Sequence, residues 1–230
     1  MYTNAQKLTA EFLGTFALVF FGEGTLCADQ FLHGTGNIGL IGVALAHGLA
    51  LAIMISAIGH ISGGHFNPAV TIGYWVTKRL NTLDVILYWV AQLTGAIAAA
   101  FLLKAIIPDD TWRAVALGTP EFARDFPRWA GMALEATGTF FLVFVVFATM
   151  LDDRGTFRSV AGFGIGLVYA LGVLVAGPFT GGALNPARAF GSALAATHWA
   201  NHGVFWVGPL AGGFAAALLY DFLYLKRAQI

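Results

Sequence analysis

Two octapeptides in this chain match each other: SGGHFNPA at residues 62–69 and TGGALNPA at residues 180–187. Each ends in the same triplet, Asn67-Pro68-Ala69 in the first copy and Asn185-Pro186-Ala187 in the second. Asn is a favoured helix N-cap, and Pro is favoured at the first helical position. Each triplet therefore predicts a helix that begins directly after a Gly-rich turn. A single Asn-Pro turn is common, but two in matching frames indicate a shared role.

The composition is that of a membrane protein. Hydrophobic residues make up 58% of the 230 residues and charged residues 10%, whereas a soluble domain carries about 25% charged residues. The net charge is zero and there is no basic run, so the sequence gives no support to a nucleic-acid partner. The single cysteine, Cys27, excludes an intrachain disulfide. The six histidines show no paired metal-ligand spacing, and we expect neither a metal nor a cofactor.

Six apolar segments are long enough to cross a bilayer: about 8–28, 37–58, 83–106, 130–151, 158–178 and 203–225. The segments that begin at the two triplets, about 67–76 and 185–195, are too short to do so. Irregular backbone at membrane depth must be buried in protein or line a wet cavity. The sequence thus predicts an all-α membrane protein with six transmembrane helices and two half-helices. We interpret the first apolar segment as a retained span rather than a signal peptide.

The two halves of the chain repeat. AEFLGTF at 10–16 matches LEATGTF at 134–140 with an offset of 124 residues, and the triplets match with an offset of 118. Each half has an odd number of spans, so the second half must enter the membrane inverted. We expect one domain over residues 1–230, with repeats at about 1–106 and 130–230, whose half-helices meet near the midplane.

The basic residues favour cytoplasmic termini. Seven would then lie inside (Lys7, Lys78, Arg79, Arg154, Arg158, Lys226, Arg227) and four outside (Lys104, Arg113, Arg124, Arg128). The sequence does not place the 107–129 segment, where Arg113 is a candidate to reach an outer vestibule.

Four polar residues at membrane depth are candidates for function. Glu11 and Glu135 occupy equivalent places in the two repeats, and each is either a proton relay or an anchor that accepts N–H groups from the loop before a half-helix. Their symmetry favours the anchor. His65, beside the first Gly-Gly turn, is expected to hydrogen-bond loop backbone and to support the pore loop. His47, taken alone, is typical of a satisfied core residue.

Arg188 follows the second triplet, whereas Val70 follows the first. An unrepeated cation within a repeated motif indicates a role on one side of a pore. A fixed cation there would repel cations and donate hydrogen bonds to a neutral solute. The alternative is a structural ion pair.

These motifs, with Trp206-Val207-Gly208-Pro209 in the last span, resemble the major intrinsic protein family, the aquaporins, over essentially the whole chain. The resemblance implies a right-handed bundle with one pore per subunit, assembled as a homotetramer. It also implies an outer selectivity filter at His47, Val173, Gly182 and Arg188. A filter of His, an aliphatic residue, Gly and Arg is similar to that of tonoplast intrinsic proteins permeable to ammonia as well as water.

We therefore expect a passive channel for water that also conducts ammonia, with His47 and Arg188 as donors, and that excludes protons and ions. The resemblance allows urea or hydrogen peroxide as further solutes, in a lipid bilayer and without catalytic residues. The short termini resemble those of microbial members, so the plasma membrane is expected, with the vacuolar membrane as the alternative.

Three other functions are alternatives. A glycerol or urea facilitator is opposed by Ala189, where such proteins usually have Asp, and by the lack of an aromatic pair at the filter. A secondary transporter would need a coupling-ion site beyond the two glutamates. An intramembrane enzyme would need a nucleophile–base pair or a metal constellation, which the spacing of Ser, His and Asp does not offer.

Overall fold

A computed structural model describes residues 2–155 and 160–225, and its regular structure in these ranges is helical. The helices, in chain order, are α1 (Asn4–Phe31), α2 (Gly39–Ser62), α3 (Pro68–Val76), α4 (Thr82–Ile106), α5 (Asp109–Ala114), α6 (Arg128–Val146), α7 (Ala161–Thr180), α8 (Pro186–Ala196) and α9 (Val204–Tyr220). Single π-helical turns, Phe147–Leu151 and Asp221–Leu225, extend α6 and α9. Six of these helices are long and apolar enough to cross a membrane in the described part of the chain: α1, α2, α4, α6, α7 and α9.

The predicted segments coincide with these helices and differ from them at the ends. α1 begins earlier than predicted because Thr3 and Gln6 form a capping box, in which Thr3 N donates to Gln6 Oε1 at 2.8 Å. α7 continues past the predicted end to Thr180, with Pro178 in its last turn. The predicted start of this span at residue 158 lies outside the described residues, as do Arg158, Lys226 and Arg227 of the charge count.

The two halves of the chain interleave around the short helices. α1 packs on α2 and α4, and α6 packs on α7 and α9. The half-helix α3 lies against α9, at the far end of the chain, while α8 lies against α4. Small residues make these contacts close, with Gly73 facing Ala217 and Gly191 facing Ala96. Each half-helix is therefore held by the other half of the chain.

The outer connection between α4 and α6 folds into α5 and a 3₁₀ turn, Ala116–Gly118. Lys104 fixes it to the end of α8, because its Nζ donates to the Ala195 carbonyl at 2.6 Å and lies 5.0 Å from the ring centroid of buried Trp112. Arg113 is exposed and pairs with Asp109 at 2.9 Å. Its hydrogen bond lowers the pKa of Asp109. Arg113 is therefore engaged in an ion pair on the protein surface.

Candidate functional site

Asn67 and Asn185 cap the two half-helices. Asn67 Oδ1 accepts the backbone N–H of Ala69 at 2.9 Å, and Asn185 Oδ1 accepts that of Ala187 at 3.0 Å. The proline after each Asn occupies the first helical position. The helices begin one residue later than predicted because a cap residue stands outside the helix it caps.

The same two side chains also join the half-helices to each other. Asn67 Nδ2 donates to the Leu184 carbonyl at 2.9 Å, and Asn185 Nδ2 donates to the Phe66 carbonyl at 2.8 Å. Phe66 and Leu184 have left-handed backbone, with φ of 47° and 52°. One amide hydrogen of each Asn remains after these bonds. Both Asn residues line a central cavity of about 10 Å³, which holds about one water at a time.

Glu11 anchors the loop before α3. Its Oε1 accepts from Ser62 Oγ at 2.6 Å and from the His65 backbone N–H at 3.0 Å. Its Oε2 accepts from the Phe66 backbone N–H and from Gln92 Nε2, both at 2.7 Å. The buried carboxylate is thus surrounded by donors, as the anchoring interpretation requires.

Glu135 makes the equivalent contacts in the second half. It accepts from Thr180 Oγ1 at 2.6 Å and from the backbone N–H groups of Ala183 and Leu184 at 3.0 and 2.7 Å. Like Glu11 it is fully buried. Both carboxylates satisfy backbone groups that would otherwise be unpaired at membrane depth.

His65 supports the first loop differently from the prediction. Its backbone N–H is the group bound by Glu11, while its ring Nδ1 lies 3.1 Å from the side-chain hydroxyl of Thr71 instead of loop backbone. The ring packs on Tyr74 and Tyr88, with centroid distances of 4.1 and 5.1 Å. It also lines the central cavity. His65 therefore fixes the wall of the cavity as well as the loop.

His47, Val173 and Arg188 come together on the outer side of the Asn pair. They line a cavity of about 210 Å³, which we call the outer vestibule; the outer connection contributes Val115, Gly118, Thr119 and Glu121 to it. The sequence did not place this segment, from which Arg113 was the candidate to reach the vestibule. Arg113 does not line it.

Gly182, the fourth predicted filter position, lies directly beside Val173. Its φ is +60°, and a Cβ placed on it would come within 3.1 Å of Val173 Cα and 3.2 Å of Gly177 N. A larger residue here would strain the backbone and press on α7. Gly182 therefore lets the second loop pack against the helix that carries Val173.

The His47 ring is buried, and both of its nitrogens face protein groups. Nδ1 lies 2.9 Å from the Val43 carbonyl oxygen. Because a carbonyl only accepts, this contact assigns the ring hydrogen to Nδ1. Nε2 then presents a lone pair, and it lies 3.4 Å from Arg188 Nη2. The expectation that His47 donates to a solute is therefore replaced by a role as an acceptor for Arg188.

Arg188 has an anionic partner that the sequence analysis missed. Its Nε lies 3.0 Å from Glu23 Oε1 on α1, and the two side chains are 1% and 0% exposed. The ion pair considered as the alternative for Arg188 is thus present, and the same side chain lines the vestibule. A signal existed in the repeat: with the 124-residue offset, Glu23 corresponds to Phe147, so both charges are unrepeated.

The described residues hold no group of three or more His, Cys, Asp and Glu that could bind a metal. The two cavities instead bring the Asn67 and Asn185 amides and the Arg188 guanidinium between largely apolar walls. Such groups can exchange hydrogen bonds with a small solute as it moves.

Comparison with known proteins gives the family. The model of the family "Major intrinsic protein" matches residues 1–220. The probable aquaporin TIP3-2 of Arabidopsis thaliana is 43% identical over 229 residues, 96% of this chain and 84% of that protein. Aquaporin TIP4-4 of Zea mays is 46% identical over 230 residues, 96% of this chain and 88% of that protein.

A solved structure agrees with these relatives. The X-ray structure of the aquaglyceroporin from Plasmodium falciparum superposes with a TM-score of 0.80 at 26% identity, and the match covers 99% of each chain. The relatives are membrane channels and not enzymes. With the family match over nearly its full length, this chain belongs to the major intrinsic protein family of aquaporin channels.

Proposed function

We propose that this chain forms one channel domain over residues 1–230, built from two repeats, and that it conducts water and ammonia while excluding protons and other ions. The observation that carries the proposal is the meeting of two capped half-helices, where Asn67 and Asn185 each keep one amide hydrogen for a solute. Water is a small solute that both donates and accepts, so it can use these groups.

The central cavity supports single-file passage of water. Its polar side chains are those of the two Asn residues, His65 and Tyr169, and its remaining wall is mostly aliphatic: Leu51, Ile55, Val70, Leu142 and Ile165. A water molecule there loses most of its hydrogen bonds to other water molecules and forms a few with fixed protein groups. The two half-helix N-termini, which carry partial positive charge, oppose a cation at the same place.

The vestibule supports ammonia as a second solute. Val173 and Gly182 offer no hydrogen-bonding side chain, and His47 is turned to Arg188. The Arg188 guanidinium is then the donor that a solute meets, and ammonia accepts from it through its lone pair. Ammonium lacks that lone pair and carries a charge. Glycerol is the weaker candidate, although the superposed solved structure is that of an aquaglyceroporin. The reason is that no Phe, Tyr or Trp side chain lines the vestibule in the described residues.

Stopped-flow light scattering of reconstituted vesicles tests the proposal. We expect water and ammonia permeabilities well above those of protein-free vesicles, with glycerol close to them and no ammonium current. Asn185→Leu is the control, because it removes a cap worth about 1 kcal/mol and places an apolar side chain at the midpoint. Water flux equal to that of empty vesicles, or unchanged in a folded Asn185→Leu protein, contradicts the channel assignment.

The protein is a multi-pass membrane protein. The plasma membrane predicted from the short termini gains no support from the relatives, which are tonoplast intrinsic proteins and favour the vacuolar membrane. We therefore propose a vacuole-type membrane with cytoplasmic termini. Fractionation of the native cells checks this location, and recovery with plasma-membrane markers contradicts it.

A further inference from the structure

Glu23 is a buried carboxylate that neither the half-helix loops nor the central cavity uses. It lies on α1 and is fully buried. Among the described residues, neither of its oxygens receives a hydrogen bond, and its charged neighbour is Arg188. A carboxylate in this setting is strongly disfavoured by desolvation unless a cation lies beside it. The state of Glu23 therefore depends on Arg188.

Arg188 depends on Glu23 in turn. Its Nε faces Glu23 Oε1 at 3.0 Å and its Nη2 faces the His47 ring at 3.4 Å. Its Nη1 has no partner in the part of the chain that the structure describes. The guanidinium is thus held from two sides, at the edge of the vestibule that Arg188 lines.

The outer connection closes the site around Glu23. Gly118 has a φ of +69°, and a Cβ placed on it would come 2.3 Å from Glu23 Oε2. The bare backbone of this turn therefore packs on the carboxylate and excludes water from it. The segment that was unplaced by sequence thus keeps the ion pair dry.

The equivalent positions in the other repeat carry no charges. Phe147 corresponds to Glu23 and Val70 corresponds to Arg188, by the two repeat offsets. Both lie in the same buried apolar cluster. The two charges therefore occur as a pair. Each would be an unpaired buried charge without the other, and both are replaced by apolar residues at the equivalent positions.

We infer that Glu23 is a positioning residue for the proposed selectivity filter: it holds the Arg188 side chain toward α1 and offsets its charge. The expected effect on water flux rests on the proposed function, whereas the ion pair itself does not. The filter then carries little net charge, so the barrier to cations rests on the half-helix N-termini more than on Arg188. It also follows that Arg188→Val alone leaves Glu23 unpaired, and a proton leak in that variant would not report on Arg188 only.

A double-mutant cycle tests the inference, with Glu23→Gln, Arg188→Val and the double variant reconstituted and melted in detergent. Each single change leaves one buried charge, and we expect each to lower Tm by roughly 5–10 °C. The double variant should recover most of that loss. Glu23→Gln should also lose more than half of the water flux, because the released guanidinium can extend into the passage. Glu23→Asp, which keeps the charge, should restore flux in part.

Asp125→Asn is the matched control. It removes a carboxylate from the same outer connection, but one whose side chain is 92% exposed, lies 3.7 Å from Arg124 and does not line the vestibule. We expect its Tm and water flux to match the parent protein. Additive Tm losses in the cycle, or a Glu23→Gln protein with parental Tm and flux, would overturn the inference and leave the channel function standing. A parent protein without water flux would instead reject the proposed function, while the Tm cycle still tests the pair.

Discussion

Val173 is the proposed filter residue that combines regular helical backbone with a side chain facing the vestibule. It lies within α7, is 2% exposed and borders the vestibule. Gly182 beside it cannot carry a side chain in its left-handed backbone without pressing on α7. Changes in filter width are therefore best made at Val173 alone.

Val173→His should lower ammonia flux more than water flux. The ring fills part of the vestibule and adds a nitrogen that water, which both donates and accepts, can use more fully. We expect the ratio of ammonia to water permeability to fall about fivefold, equivalent to about 1 kcal/mol in barrier height. The measurement compares vesicle alkalinisation after an ammonium jump with osmotic shrinkage. Val173→Leu, which adds bulk without polarity, is the control; equal losses of both fluxes in the His variant would reject this filter position.

At the scale of the elements, two carboxylates organise the two half-helix loops. Glu11 and Glu135 each accept two backbone N–H groups and one hydroxyl. Such groups cannot be satisfied by lipid, so the irregular backbone before α3 and α8 depends on them. A proton relay would instead need an oxygen that is free to take up a solute proton.

Glu135→Gln separates these two interpretations. The amide replaces one acceptor oxygen by a donor that faces N–H groups, and charge-assisted hydrogen bonds contribute about 1.5–3 kcal/mol each. We expect Tm to fall by about 5–10 °C and water flux to fall with it. Thr180→Val, which removes only the hydroxyl at 2.6 Å, should cost less. A Glu135→Gln protein with parental Tm and water flux but altered proton movement would support the relay.

At the scale of the whole molecule, the outer faces of the bundle are apolar. Large side chains on the long helices are widely exposed, among them Ile41, Ile53, Phe141, Phe163, Leu171 and Val175. An exposed apolar surface of this size is covered by lipid or by other subunits. The proposed passage lies within one chain, where its own half-helices meet, so the proposal does not need assembly to form it.

We predict a homotetramer in which each subunit conducts independently. The mass of the protein part in detergent, measured by light scattering, should be about four times the 24.3 kDa of one chain. In vesicles made from co-expressed parent and Asn185→Leu subunits, water flux should rise linearly with the parent fraction. A monomeric mass with full flux contradicts the assembly, and a steeply curved dependence contradicts independent passages.

Much of this architecture is predictable because its causes are local. An Asn before a Pro starts a helix wherever it stands, and a twenty-residue apolar run in a chain of this composition becomes a span. The glutamates at 11 and 135 were also readable, since a carboxylate at membrane depth needs donors and the Gly-Gly loops supply unpaired N–H groups. The exact ends of α1 and α7 were harder to predict, because a capping box starts α1 early and α7 continues past Pro178 to Thr180.

The sequence by itself determined the spans and the two half-helix starts, because each depends on residue type and short spacing. The four filter positions came from the family resemblance and stay a prediction. Only the tertiary structure decided that Glu23 lies against Arg188, that the His47 ring turns its lone pair to the same side chain, and that the outer connection covers the pair. These contacts join distant parts of the chain. They depend on how each helix is rotated against its neighbours, and that rotation is set by packing over the whole bundle and not by any local pattern.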